Sequence, residues 1–193
     1  ATALCKQLLV YSGKGCFVIQ QLNLNVLVQE TVPLVKFSLS KNMILEFHLA
    51  ENLPSIEADA SQMQQLIMNL AMNASESLDD KKGTITIATG VLRAQRDYLT
   101  KIQLGLELPE DDYVFLEVTD TGCGMDAETR ARIFEPFFST KFTGRGLGLS
   151  AVLGIMRGHK GALEVVSEKG KGSTFKALFP RAQGPSQPSF VRR

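Results

Sequence analysis

Cysteine is scarce in this 193-residue chain: there are three, Cys5, Cys16 and Cys123, forming neither a CxxC pair nor an even-numbered framework. That excludes a disulfide scaffold and suits a reducing, cytoplasmic setting with buried or inert thiols. An excess of one charge is also lacking. Lys and Arg number 21 against 20 Asp and Glu, a net +1, so there is no electrostatic footprint for nucleic acid. No apolar run approaches the about 18 residues of a membrane span, and no signal-peptide pattern opens the chain. These absences predict neither membrane contact nor nucleic-acid binding by this stretch. No internal repeat is present, and there are only two histidines, His48 and His159.

Hydrophobic residues make up 44% and charged residues 21%, the balance of an ordinary globular chain. At this length a single domain buries roughly 70% of its unfolded surface and needs no staple. The first residue is Ala1 rather than Met, which points to a fragment of something longer.

The patterning alternates between helix and strand. Leu4 to Tyr11 reads as an amphipathic helix stopped at Ser12-Gly13-Lys14-Gly15, and Cys16 to Ile19 as a short strand. Asn25 is the expected cap of a helix through Phe37, which Pro33 should kink or split. Ile44 to Leu49 reads as a strand, with a turn at Asn52-Leu53-Pro54. The strongest helix begins at Asp59, with Gln62 in capping-box position and an apolar face of Met63, Ile67, Leu70, Ala74 and Leu78. Thr84 to Thr89 and Tyr113 to Asp120 read as two strands of a hairpin with a long polar connection. One helical turn is expected near Ala127 to Ile133 and a helix from Gly146 to Met156. Gly161 to Val166 and Ser173 to Phe179 then pair around Lys169-Gly170-Lys171-Gly172. The tail from Arg181 has linker composition. The class is α/β: a mixed, mostly antiparallel sheet of about five strands with helices on one face.

Three elements carry chemistry. On the strong helix, Gln62, Gln65, Asn69, Asn73 and Glu76 form a polar stripe. Alone it is a solvated face, but its amide oxygens also suit a hard cation such as Mg²⁺. Asp120-Thr121-Gly122-Cys123-Gly124-Met125 ends an apolar strand. It is either an Asp-capped turn, or a carboxylate for an exocyclic amine such as adenine N6 with Gly122 and Gly124 giving a flat base close approach. Gly144-Arg145-Gly146-Leu147-Gly148-Leu149 opens a helix, where backbone N–H groups favour phosphate, and Lys141 and Arg145 add positive charge. Gly146 to Ala151 also fits a loose dinucleotide pattern with Glu164 at a suitable distance, but no apolar strand precedes it. Lys171-Gly172-Ser173-Thr174 lacks P-loop spacing.

Taken in order, Asn69-x-x-x-Asn73-Ala74, Asp120-x-Gly122-x-Gly124, Phe134-Glu135-Pro136-Phe137-Phe138 and Gly144-x-Gly146-Leu147-Gly148-Leu149 closely resemble the N, G1, F and G2 boxes of sensor histidine kinase catalytic domains. Those domains belong to the GHKL superfamily with gyrase, a heat-shock chaperone and MutL. Gly170-x-Gly172-Ser173-x-Phe175 with Leu178-Phe179-Pro180 resembles the family's closing hairpin. The resemblance covers roughly residues 20 to 180 and is nearest to hybrid kinases, which carry a receiver domain downstream.

The resemblance implies a two-layer α/β sandwich, the Bergerat ATP-binding fold, with ATP and Mg²⁺ as cofactors. It implies a catalytic domain over 16–180, the end of a dimerisation helix over 1–15 and a linker over 181–193. Asn73 matches the Mg²⁺ ligand. Asn69 stands one turn earlier, where hydrolysing members carry a Glu; an amide is no general base, which favours transfer over hydrolysis. Asp120 matches the adenine-reading carboxylate. Residues from about Asp126 to Arg145 match the ATP lid, anchored by Phe137 and Phe138, with Lys141 and Arg145 toward phosphate. Gly144, Gly146 and Gly148, with Leu147 and Leu149, match its hinge and phosphate-facing end. Glu76 departs from the Lys or Arg that many members place there.

His48 reads as a strand histidine and His159 as a solvated turn histidine, so the phosphoacceptor histidine belongs to a dimerisation domain upstream. The implied partners are that domain and a response-regulator receiver domain. The rivals are a hydrolysing superfamily ATPase and a non-catalytic interaction domain.

Overall fold

The computed structural model describes residues 18–39, 42–79, 81–100, 102, 104–105, 108–140 and 146–182. The expected helix over Leu4 to Tyr11, Cys5, Cys16, the lid residues Lys141, Gly144 and Arg145, and the tail beyond Ala182 lie outside them.

Strand β1 (Gln20–Leu22) lies just after the Cys16 to Ile19 stretch, of which Val18 and Ile19 are in no strand. Helix α1 (Leu24–Ser38) is capped by Asn23, whose side chain accepts from Asn25 N–H at 2.9 Å. The expected cap, Asn25, sits inside the first turn and serves tertiary structure. Its Nδ2 donates to Ala50 O at 2.8 Å, and its Oδ1 accepts from Thr89 Oγ1 at 2.5 Å. Pro33 does not split α1, which runs unbroken through it. Pro33 is exposed, so the Gln29 carbonyl it deprives of a partner is on the side water can reach.

Strand β2 (Met43–Leu49) pairs in parallel with β4 (Gly83–Ala94); β4 pairs antiparallel with β6 (Asp111–Asp120), β6 with β8 (Gly172–Pro180), and β8 with β7 (Ala162–Glu168). A two-residue strand β5 (Leu104–Gly105) extends the far edge beside β7. The expected sheet of about five strands is therefore present, with this sixth short one added. β3 (Ile56–Ala58) pairs antiparallel with β1 as a separate two-stranded ribbon, and Arg181 bridges to Ile56.

Alternation decides which face is covered. Ile85, Ile87, Val114, Leu116, Val118, Leu163, Val165 and Phe175 point to one side and form a single core with α1, α2 (Ala60–Leu78) and α5 (Gly148–Gly158). The fold is thus a two-layer α/β sandwich, as expected. The side chains of opposite parity carry a second, smaller core: Ala94, Tyr113, Ala162 and Leu178, covered by Tyr98, Leu99 and Leu108. In the long β4–β6 connection, the helical turn α3 (Arg96–Leu99) and the described residues Ile102 and Leu108 are packed onto the back of the sheet. Two hydroxyls hold it there: Tyr98 Oη donates to Glu164 Oε2 at 2.5 Å and Tyr113 Oη to Pro109 O at 2.8 Å. Burial, with the Glu164 carboxylate beside it, pushes the Tyr98 phenol well above its ordinary range.

Among the described residues, no helix is long and apolar enough to cross a membrane.

Candidate functional site

Helix α2 supplies the first wall. Asp59 caps it by accepting from Ser61 N–H at 2.9 Å and Gln62 N–H at 3.1 Å. Only half of the expected capping box closes. The N–H of Asp59 goes to His159 Nε2 at 3.1 Å instead of to Gln62, whose buried Oε1 finds no partner among the described residues. His159 is therefore no solvated turn residue but a buried one, 6% exposed, with Nδ1 bonded to Ile155 O at 2.8 Å. Desolvation lowers its pKa from the usual range, outweighing the Ile155 hydrogen bond and the Asp59 charge, which raise it.

Of the predicted polar stripe on α2, Asn69, Asn73 and Glu76 face a cleft of about 580 Å³, together with Met72 and Ser77. Gln62 and Gln65 do not line it, because a helix of 19 residues is longer than the cleft it borders. Asn69 Nδ2 donates to Gly148 O at 3.2 Å and so ties α2 to the first turn of α5.

Asp120 ends β6 beneath the cleft, 2% exposed. Its Oδ1 accepts from Ser77 Oγ–H at 2.6 Å and from Gly122 N–H at 2.8 Å. The glycines beside it answer to protein packing. A Cβ on Gly122 would stand 2.1 Å from Ser77 Oγ, and one on Gly124 (φ +60°) 2.0 Å from Glu168 O. Gly122 is thus already required by the close pass of this turn over the last turn of α2, apart from any approach of a flat base. Cys123, expected buried or inert, is exposed and lines the cleft.

The opposite wall starts at Asp126, which caps α4 (Ala127–Arg132) by accepting from Thr129 N–H at 2.8 Å. Hydrogen bonds from Thr129, with Lys169 nearby, hold its carboxyl below the usual range. The two expected aromatic anchors divide. Phe138 packs on the core beneath the Arg132 guanidinium, 4.3 Å from its ring centroid, and lines the cleft. Phe137 is 65% exposed and does not line the cleft. It contributes through its backbone, with N–H donating to Gly146 O at 2.9 Å from a left-handed conformation, φ +67°. Gly146 must be glycine here: φ is +64°, and a Cβ would lie 2.5 Å from Phe137 C. That conformation also delays α5 to Gly148, two residues after the expected start.

Leu147, Gly148 and Leu149 line the cleft at the start of α5, whose N-terminus has no side-chain cap and no acidic residue in its first turn. An anion placed there meets unsatisfied N–H groups and the positive end of the dipole. Lys141, Gly144 and Arg145 fall outside the described residues, so their placement adds nothing. Ser77, Met72, Met125, Lys169 and Ser173 were not anticipated. Ser77 continues the spacing of Asn69 and Asn73 by one more turn, a signal present in the sequence; Ser173 arrives only because β8 pairs it with Asp120.

The donor set suits a magnesium nucleotide. Asn69 and Asn73 present amide groups one turn apart, and Mg²⁺ takes few protein ligands beside phosphate and water.

Comparison with known proteins agrees. Residues 58–183 match the family model described as "Histidine kinase-, DNA gyrase B-, and HSP90-like ATPase". The chain is 37% identical over 183 residues to the sensor kinase CckA of Brucella abortus, covering 94% of this chain and 19% of that protein. It is 32% identical over 163 residues to the sensor histidine kinase ZraS of Escherichia coli, covering 84% of this chain and 31% of ZraS. The chain thus spans a fifth to a third of these relatives. Among solved structures, full-length ShkA in complex with AMPPNP superposes with a TM-score of 0.73 at 25% identity, covering 95% of this chain and 36% of ShkA. The catalytic domain of histidine kinase ThkA superposes with a TM-score of 0.64 at 26% identity, covering 84% of this chain and 95% of that domain. Fold, cleft and matched residues agree on one conclusion: the chain belongs to the histidine kinase, DNA gyrase B and HSP90-like ATPase family.

Proposed function

We propose that this chain is the ATP-binding kinase domain of a cytoplasmic two-component phosphorelay, transferring the γ-phosphoryl group of ATP to a histidine on a separate dimerisation domain. What supports the reading is one cleft that has Ser77, bonded to the buried Asp120 behind it, at its floor and Asn69, Asn73 and the uncapped start of α5 along its sides. It is also supported by relatives that are named sensor kinases and by the AMPPNP complex of ShkA.

In this reading Asp120 receives the 6-amino group of adenine, and the N–H groups at Gly148 and Leu149 receive phosphate. Asn73 holds Mg²⁺, with Asn69 beside it; bound there, Mg²⁺ neutralises phosphate charge and orients the γ-phosphoryl group. Lys141 and Arg145 reach phosphate from the lid, with Gly144 and Gly146 at its end. Asn69 cannot remove a proton from water, and its Nδ2 is committed to Gly148 O, so the site favours transfer over hydrolysis. The catalytic unit spans residues 16–180, between the end of a dimerisation helix over 1–15 and a linker over 181–193. A receiver domain accepts the phosphoryl group from the histidine.

The test is calorimetric titration with ADP and AMPPNP, with and without Mg²⁺, followed by transfer from labelled ATP to an added phosphoacceptor domain. Saturable, adenine-selective, Mg²⁺-strengthened binding and acid-labile label on the acceptor are expected. No binding at millimolar nucleotide returns the chain to the interaction-domain reading. Steady phosphate release without acceptor makes it a hydrolase.

A further inference from the structure

Ser77 lies at the floor of the cleft in an unusual bonding position. It is only 9% exposed, yet it lines the cleft, whereas Asp120 beneath it is 2% exposed and does not. Its Oγ is 2.7 Å from Ala74 O and 2.6 Å from Asp120 Oδ1. Both neighbours are acceptors, and Asp120 Oδ1 also takes the N–H of Gly122 at 2.8 Å. A hydroxyl has one proton and two lone pairs. The proton is claimed by the two protein acceptors, so what Ser77 offers the cleft is lone-pair density. The backbone enforces this arrangement, since a Cβ on Gly122 would lie 2.1 Å from Ser77 Oγ and push the hydroxyl out of place.

We infer that Ser77 reads the base together with Asp120: its Oγ accepts a hydrogen bond from the 6-amino group of an adenine nucleotide and selects against 6-oxo purines. This rests on the nucleotide reading above and adds a specificity-determining residue to that site. A 6-oxo group would bring a third acceptor against Ser77 Oγ, whose only proton is already taken. A second acceptor beside the carboxylate discriminates more sharply than a single carboxylate, because a 6-oxo base sets its own acceptor against the lone pairs of Ser77 Oγ and forms no hydrogen bond there.

The test compares ADP with IDP, which carries oxygen in place of the 6-amino group, by calorimetry on wild type and on Ser77→Ala, Ser77→Thr and Ser77→Cys. Wild type is expected to prefer ADP strongly. Ser77→Ala should bind ADP about tenfold more weakly, with IDP little changed, so that the ratio shrinks. Ser77→Thr keeps the hydroxyl and should keep the ratio. Ser77→Cys is close in volume with a poor acceptor, and should lose the ratio even if the alanine variant fails to fold. An unchanged ADP-to-IDP ratio in the Ala or Cys variant overturns the role of Ser77, as does equal loss in Thr and Ala. A wild type that binds no ADP overturns the nucleotide reading itself, and the two failures are distinct.

Discussion

Asp59 donates its backbone N–H to Nε2 of His159 at 3.1 Å, joining the first turn of α2 to the end of α5 across 100 residues of sequence. The same imidazole is bonded through Nδ1 to Ile155 O at 2.8 Å. The arrangement requires the neutral ring with its proton on Nδ1, because a protonated Nε2 cannot accept.

Stability should therefore depend on pH near the histidine range. Burial lowers the pKa of His159 below its ordinary 6.5, so its contribution is complete above about pH 6.5 and is lost as pH falls through the lower folded value. Burial raises the Asp59 carboxyl, but hydrogen bonds from Ser61, Val18 N–H and Gln62 N–H outweigh that and lower it; its contribution is lost only in more acidic solution, below about pH 4. Urea unfolding at pH 7.5 and pH 5.5 should show weaker folding at the lower pH. His159→Gln should reduce that difference. Equal midpoints for the wild type at both pH values would refute the account.

Asp120→Asn keeps the shape of a fully buried side chain but replaces one acceptor oxygen with a donor. Whichever way the amide turns, it opposes either the Ser77 and Gly122 donors or the incoming amine. Adenine-nucleotide binding should fall by about a hundredfold or more. Wild-type affinity in calorimetry would remove Asp120 from the site.

Asn73→Ala should abolish the gain in nucleotide affinity that Mg²⁺ brings, while leaving metal-free ADP binding within about twofold. The measurement is the ratio of affinities with Mg²⁺ and with EDTA. A ratio equal to wild type would assign the cation to other groups.

Glycine substitutions on either side of the site should separate strain from collision. Gly146→Ala combines a φ of +64° with a Cβ 2.5 Å from Phe137 C, and should displace the base of the lid and weaken nucleotide binding. Gly170→Ala has a φ of +83° with nothing within 4 Å, and should cost only about 1 kcal/mol of stability. Thermal unfolding with and without ADP distinguishes them; equal loss of ligand shift in both would mean that the Phe137–Gly146 pinning is irrelevant to binding.

Pro33→Ala restores a donor for the Gln29 carbonyl within α1 and should raise stability by about 1 kcal/mol, less than the full proline penalty, because the substitution also loosens the unfolded chain. A lower melting temperature would show that α1 depends on the ring.

The elements were legible wherever periodicity was strong. The apolar face of α2, the alternation of Thr84 to Thr89 and the β7–β8 hairpin all form where the pattern puts them. The boundaries that shifted did so for tertiary reasons. Asn25 gave up capping for bonds to Ala50 and Thr89, and Gly146 was taken by its contact with the Phe137 backbone instead of the helix. The back-face core was invisible because a polar stretch with few apolar residues hides Tyr98, Leu99 and Leu108 among charges.

What the sequence alone determined is the set of local rules: helix and strand periods, the cap at Asp59, and the ordered boxes that identify the family. Those depend on neighbours three or four residues apart, or on residue identities at set spacings. Only the tertiary structure decided that His159 is buried, that Phe138 packs on the core while Phe137 faces outward, and that Ser77 shares its proton with Asp120. Each of those depends on segments distant in the chain meeting within hydrogen-bond or van der Waals range, and such meetings are set by how the helices pack on the sheet.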